Sequence, residues 1–324
     1  MKSFLLKHLP QISLAALIVL LMIALASKQS LFLQSATAAQ IFKYYSPMAM
    51  LALGMTFIIL TGGIDLSVGF VMMLIMFVMA GQMRDHPQMS PVLALLWGLG
   101  AAIVVGLING VSVAYARIPA FIVTLAVMVA SYGVTSLISK NQAIGDLPPL
   151  FLWLGKTEFR FLGADFPIMS LVVIGAFGFA ALLLNKTRFG RHLYAVGSNR
   201  EAARLSGINV PRIELSAYLL SALCLWIAAW MQMGINRNAD PKVALSDNLE
   251  LNAIAIVVIG GTSLMGGRGG VSGTALGALL LSLIFYGLPL VGIVEPSYKK
   301  MIQGGIIFLG AIFDTLQRRL NKSG

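Results

Sequence analysis

Apolar runs of about 20 residues recur from one end of this chain to the other, and few folds accept them. A helix of that length crosses the hydrocarbon core of a bilayer. In lipid only helices and closed barrels pair every backbone N–H and C=O internally. A barrel needs short alternating strands, which this sequence lacks. The chain is therefore read as an all-α polytopic membrane protein, with one transmembrane domain over residues 1–324. Its composition agrees. Charged residues make up 11% of the chain, about half the share of a soluble domain, and 58% of its residues are hydrophobic.

The pattern predicts about ten transmembrane helices, at 11–27, 44–62, 65–82, 91–116, 119–138, 167–184, 213–234, 249–265, 270–292 and 297–316. An even count puts both termini on one side. Lys2, Lys7, Arg318, Arg319 and Lys322 make that side cytoplasmic by the positive-inside rule. With Arg117, Arg268 and the six basic residues of 185–212, thirteen of the 23 lysines and arginines then lie inside. Lys299 and Lys300, at an external helix start, fit the rule poorly and are assigned to the interface or to a polar entrance. Lys2 and Lys7 before an apolar run, with Ala24-Leu25-Ala26 behind it, imitate a cleaved leader. The segment is read as a first span. The net charge of +11 is assigned to contact with anionic membrane lipid and to topology, with no nucleic acid as partner. The linker 139–166, with Pro148-Pro149 and two aromatic patches, is expected outside with a short interfacial helix.

Chemistry-bearing clusters are scarce. Cys224 stands alone within an apolar run, which excludes a disulfide framework or a multi-cysteine metal site. Gly155-Lys156-Thr157 resembles the end of a phosphate-binding loop, but Leu150 occupies the position of its first glycine, so no nucleotide site is expected. His8, His86 and His192 fall in polar stretches and form no hydrolytic constellation. No catalytic residue, metal ligand or cofactor is expected in this chain.

Two glycine-rich stretches interrupt the apolar pattern, GGIDLSVG at 62–69 and GGTSLMGG at 260–267, sharing GGxxLxxG. Paired glycines end a helix or let backbones approach. Asp65 either caps the following helix with Ser67 behind it or faces a transport route. Six spans separate the two stretches, so they are similar helix breaks rather than halves of an inverted repeat. A sparsely polar translocation path is expected along Thr61, Gly62, Gly63, Asp65, Ser67, Asn109, Asn252, Gly260, Gly261, Thr262 and Gln303. With no charge cluster mid-membrane, such a path suits a neutral hydroxylated solute better than an ion-coupled carrier.

The loop 185–212, NKTRFGRHLYAVGSNREAARLSGINVPR, is basic and amphipathic between two apolar runs. Ser198 and Asn199 are placed to cap a helix through Glu201, Ala202, Ala203, Arg204 and Leu205, and Gly207 to end it. Two turns of helix are too short to be stable alone, so something must hold them.

The runs GRHLYAVGSNREAARLSGINV (190–210), LTGGIDLSVG (60–69), PAFIVTLAVM (119–128) and LELNAIAIVVIGGTSLMGG (249–267) closely resemble ribose-type ABC importer permeases, the membrane subunits of bacterial carbohydrate uptake systems. The resemblance covers nearly the whole chain. It implies ten spans in an inner-membrane subunit, a second permease subunit (identical or paralogous), an ATP-binding ABC subunit that carries ATP and Mg, and a periplasmic substrate-binding protein. It also implies that 198–208 is the coupling helix docked on the ATPase, and that Gly62, Gly63 and Asp65 form the first family signature. Two positions depart from the family pattern. Asn252 stands where an acid is usual, and Tyr132 where an arginine precedes Gly133. A pentose, a hexose, a polyol or a sugar-like signal all stay open as substrate. The alternative reading is a secondary carrier or facilitator for a small polar solute.

Overall fold

The computed structural model describes residues 2–322, and the side chains of Lys2, Lys7, His8, Asp314, Arg318, Arg319 and Lys322 lie outside the described residues. The fold is a helical bundle: α1 Lys2–Lys28, α2 Ser35–Leu60, α3 Val68–Asp85, α4 Pro91–Ala114, α5 Ala120–Ser139, α6 Pro149–Lys156, α7 Met169–Lys186, α8 Arg188–Ser198, α9 Arg200–Leu205, α10 Val210–Asn236, α11 Val243–Asp247, α12 Leu249–Ile259, α13 Val271–Leu290 and α14 Pro296–Lys322. Eight of the described helices are long and apolar enough to cross a membrane.

The ninth expected span is corrected. The apolar pattern of 249–265 predicts a full crossing, but α12 has 11 residues. At 1.5 Å per residue it reaches about half of a bilayer core. The reason is local. Gly261 takes φ +84° and ends the helix, and the rest of the stretch is loop. Such a half-crossing avoids exposing backbone to lipid only if protein surrounds it. It does so here, because α12 lies among α2, α13 and α14, and Ala253, Ala255, Ile256 and Val257 are buried.

α2 and α3 form the buried centre, while α1, α5 and α7 turn most of their side chains outward. α10 packs on α2 and α4, and α3 on α4 and α5. Two helix contacts depend on small residues spaced i, i+4, the pattern that lets helix backbones touch in membranes. Gly273 and Gly277 of α13 lie against the backbone of Gly260 and Ile256 in α12's last turn. Gly106 and Gly110 of α4 lie against Tyr218, Ala222 and Leu215 of α10.

The linker 139–166 carries α6 as expected, but the helix is packed against the bundle. Phe151 and Leu154 are buried, and the Gly155 backbone lies directly on Gly234 of α10. Trp230 donates its indole N–H to the Leu150 carbonyl at 3.0 Å. After it comes a hairpin unforeseen in the sequence, β1 Glu158–Phe161 and antiparallel β2 Ala164–Pro167. Its turn residues Leu162 and Gly163 both have positive φ, a turn whose twist matches paired strands. Leucine there masks the usual Asn-Gly signal. Lys43 of α2 lies 3.6 Å from Glu158, which ties the hairpin to the bundle end opposite the 185–212 loop.

This arrangement selects the residues for a topology test. In a Cys224→Ala background, Arg160→Cys on the hairpin should react with a membrane-impermeant thiol reagent on intact cells, and Leu205→Cys only after the membrane is opened. Both native side chains are exposed. The reverse labelling pattern would invert the orientation.

Candidate functional site

The two glycine breaks have the same backbone form. Gly62 and Gly261 share φ +84°. The N–H of Gly63 reaches the Ile58 carbonyl at 3.1 Å, and that of Thr262 reaches the Val257 carbonyl at 3.1 Å. The bonds one residue earlier, Gly62 N–H to Ile59 O and Gly261 N–H to Val258 O, are both 2.9 Å. This is the Schellman ending, with glycine in the left-handed position. The GGxxLxxG match aligns Gly62 with Gly260. The structure aligns it with Gly261, one residue later, because the left-handed position defines the break.

The breaks meet. Gly267 N–H donates to the Leu60 carbonyl at 3.0 Å. Gly197, one residue before the end of α8, lies on the same carbonyl: a Cβ there would sit 1.9 Å from Leu60 O and 2.5 Å from Gly267 N. Ser198 covers Gly267. The loop after α12 is closed by Gly270 N–H to Thr262 Oγ1 at 3.3 Å and by Ser263 N–H to the Arg268 carbonyl at 3.0 Å. The end of α2, the end of α12 and the end of α8 thus form one backbone-to-backbone node.

From that node the chain turns into α9. Asn199 caps it, its Oδ1 accepting from Ala202 N–H at 2.9 Å, a bond worth about 1 kcal/mol. Ser198 belongs to the end of α8 and makes no cap bond to α9. Gly207 follows at φ +80°. Ala203 packs on Val196 and Val210, while Leu205 is 78% exposed. Glu201 and Arg204 pair outward at 2.6 Å, and that guanidinium holds the Glu201 carboxyl below the usual carboxylate range. Arg200 turns inward instead and meets Glu214 of α10 at 2.9 Å. Both members of that pair were missed in the sequence. Glu214 stands at the start of an apolar run, where it reads as an interfacial residue.

The expected path residues do not share one cavity. Asn252 and Gln303 line a cavity of about 800 Å³ between α2, α10, α12, α13 and α14. Asp65, Ser67 and Asn109 lie apart from it in a buried knot. Ser67 donates from N–H and Oγ to Asp65 Oδ1 at 2.7 and 2.6 Å, and Asn109 Nδ2 donates to Ser67 Oγ at 3.2 Å. Asp65 therefore braces the turn before α3 rather than capping the helix. Thr61, Gly62 and Gly63 line a second cavity, of about 190 Å³, with Arg117, Arg200, Glu214 and Tyr218. Gly260, Gly261 and Thr262 belong to the node.

The large cavity lies at the end of the bundle away from the node. The side chains that sequence reasoning left out of it include Tyr44, Tyr45, Gln232, Asn236, Asn248, Ser282 and Tyr286. Gln232 was visible as a polar residue in an apolar run. Asn236 and Asn248 sit at helix ends, while Tyr44, Tyr45, Ser282 and Tyr286 lie within α2 and α13. Two prolines inside helices, Pro47 of α2 and Pro289 of α13, also line the cavity. Each removes one backbone hydrogen bond from its helix. Among the described residues no acid lines the cavity, and the charged ones that do are Lys299 and Lys300. Amides, hydroxyls and aromatic faces converging on one space can satisfy a hydroxylated solute.

Residues 37–311 match a family model described as the permease component of branched-chain amino acid transport systems. The ribose import permease of Escherichia coli K12 is 38% identical over 310 residues, covering 94% of this chain and 93% of that protein. The chain belongs to the ribose-type ABC importer permease family. It is 34% identical to the fructose import permease of Rhizobium meliloti, covering 89% of this chain and 80% of that protein. A galactofuranose transporter permease of Escherichia coli K12 is 38% identical over 81% of this chain and 74% of its own length. No solved structure matches. The permease is thus a multi-pass transport subunit and not an enzyme. Of its two departures from the family pattern, Asn252 lines the large cavity. Tyr132 is exposed on α5, edge-on to Phe70 at 6.0 Å.

Proposed function

We propose that this permease carries a sugar or sugar-like solute across the bacterial inner membrane as the spanning subunit of an ATP-driven, binding-protein-dependent importer. The observation that carries the reading is the 800 Å³ cavity, large enough for a monosaccharide, whose polar lining among the described residues is amides, tyrosines, a serine and two lysines, with no acid. Its relatives are import permeases for ribose and fructose and a transporter permease for galactofuranose. Asn252, a neutral amide, favours a neutral hydroxylated solute. ATP and Mg belong to a separate ABC subunit that receives α9. A second permease subunit completes the passage, and a periplasmic binding protein delivers the solute at the end carrying the cavity.

An ion-driven carrier is the less favoured reading. Among the described residues no cluster of three or more His, Cys, Asp or Glu exists to hold an ion, and Asp65 is occupied within its own turn.

Uptake should stop when the ABC subunit is deleted and continue when proton and sodium gradients are collapsed with ATP maintained. Because specificity then rests with the delivering protein, the permease purified alone should show no sub-micromolar binding of ribose, fructose or galactose. Uptake that needs a gradient but no ATPase, or a tight stoichiometric sugar site in the isolated subunit, would replace this reading with the carrier.

A further inference from the structure

The small cavity beneath α9 holds, among the described residues, the one ion pair with a buried member. Glu214 projects from the second turn of α10, and its side chain is only 8% exposed, while its partner Arg200, the first residue of α9, is 49% exposed. The other acid–base pair of α9, Glu201 with Arg204, faces outward and leaves the bundle untouched. One turn further along α10 stands Tyr218, whose buried hydroxyl has no hydrogen-bond partner and faces the same cavity. A Cβ added to Gly63 would lie 3.3 Å from that hydroxyl. Arg200 and Glu214 therefore share one small cavity with Tyr218 and with the α2 break at Thr61, Gly62 and Gly63.

From this geometry we infer that Arg200 and Glu214 are positioning residues that transmit movement of α9 to the α2 break and so to the transport cycle. The inference rests on the reading of α9 as the ATPase contact. Two physical points support it. First, α9 has six residues and is too short to hold its own place. Its backbone junction with α8 is fixed on the node, but its direction needs a second anchor, and Arg200–Glu214 is that anchor. Second, a buried carboxylate is costly and contributes little to stability compared with an apolar residue of similar size. Its use is geometric: a charge pair holds a direction that an apolar contact leaves free. The break that shares its cavity is also where α2 can yield, since Gly62 already holds a left-handed conformation. α2 then runs from the break to the large cavity, which its residues Tyr44, Met48, Ala49 and Leu51 line.

The test uses the permease co-purified with its ABC subunit and reads a quantity that mere folding would not move. In a Cys224→Ala background, Ala49→Cys places a thiol at the large cavity. ATP with Mg should change its labelling rate by a maleimide about fivefold or more, the usual size of coupling between distant sites. Glu214→Gln keeps the shape and removes the buried charge, so the protein should still reach the membrane and still retain its ABC subunit. The ATP effect on labelling should be lost. The reversed pair, Arg200→Glu with Glu214→Arg, should restore it. If the reversed pair does not reach the membrane, Arg200→Lys must retain the response that Arg200→Gln loses. A full ATP response in Glu214→Gln overturns the inference, and so does a loss that no charge-restoring variant repairs. Failure of the unmodified pair to respond to ATP, or to hold an ABC subunit, instead removes the coupling reading beneath it, and this is seen before any Glu214 variant is made.

Discussion

Gly273→Ala should leave little folded permease in the membrane. Its new Cβ would stand 1.8 Å from the Gly260 carbonyl oxygen, and the obstacle is backbone on both sides. A flexible side chain could swing away, but α12 and α13 would have to separate. An extra methyl forced into a packed contact costs about 1–3 kcal/mol, with rigid sites at or above the top of that range. At about 3 kcal/mol the folded-to-unfolded ratio falls roughly a hundredfold, a large share of the whole stability of a protein. Gly197→Ala meets the Leu60 carbonyl at 1.9 Å and should be as severe. Its distinct signature is release of the α8–α9 arm from the node. Gly304→Ala and Gly305→Ala, with nothing within 4 Å, are matched controls that should express normally. Size-exclusion yield and the thermal midpoint in detergent report the difference. Normal yield of Gly273→Ala would show that the α12–α13 contact is looser than described.

The second large effect is expected at the outward face of α9. Glu201→Lys together with Arg204→Glu keeps an ion pair at the same i, i+3 spacing. The helix should survive and the protein should reach the membrane at normal abundance. The charges offered to a partner are reversed. Breaking a docked charge pair costs about 2–5 kcal/mol, so affinity for the ABC subunit should drop about thirtyfold or more and substrate-stimulated ATP hydrolysis should vanish. Leu205→Ala removes an apolar side chain with nothing of its own chain to cover it and should weaken the same contact. The depressed Glu201 carboxyl carries its charge throughout the neutral range and loses it only below the usual carboxylate range. Mild acidification should therefore leave docking intact. Unchanged ATPase stimulation in the double variant would remove α9 from the coupling surface.

Much of this fold is written in local pattern. An apolar run of span length can only be a helix in lipid, because its backbone has no other partner, and eight helices appear where such runs predict them. The cap at Asn199, the glycine ending at Gly207 and the breaks at 62 and 261 are equally local, since caps and left-handed glycines act within a few residues. The length of α12 was misjudged because the span expected at 249–265 runs through the Gly260-Gly261 break, which ends the helix early. The hairpin was hidden by its Leu162-Gly163 turn.

What the tertiary structure alone decided is which of these local features touch. The breaks are far apart in the chain, yet Gly267 bonds to Leu60 and Gly197 lies on both. Nothing in either sequence stretch encodes that meeting, since a Schellman ending satisfies itself. Likewise Asp65, conspicuous as an acid at a span boundary, closes on Ser67 within its own turn. Glu214, unremarked in the sequence, becomes the buried partner of Arg200. The cavity gathers amides and tyrosines from five helices, each weakly polar alone. Sequence fixes the helices because hydrogen bonding and burial in lipid act along the chain. Packing fixes the site because small residues let distant backbones meet, and which glycines meet depends on the whole bundle.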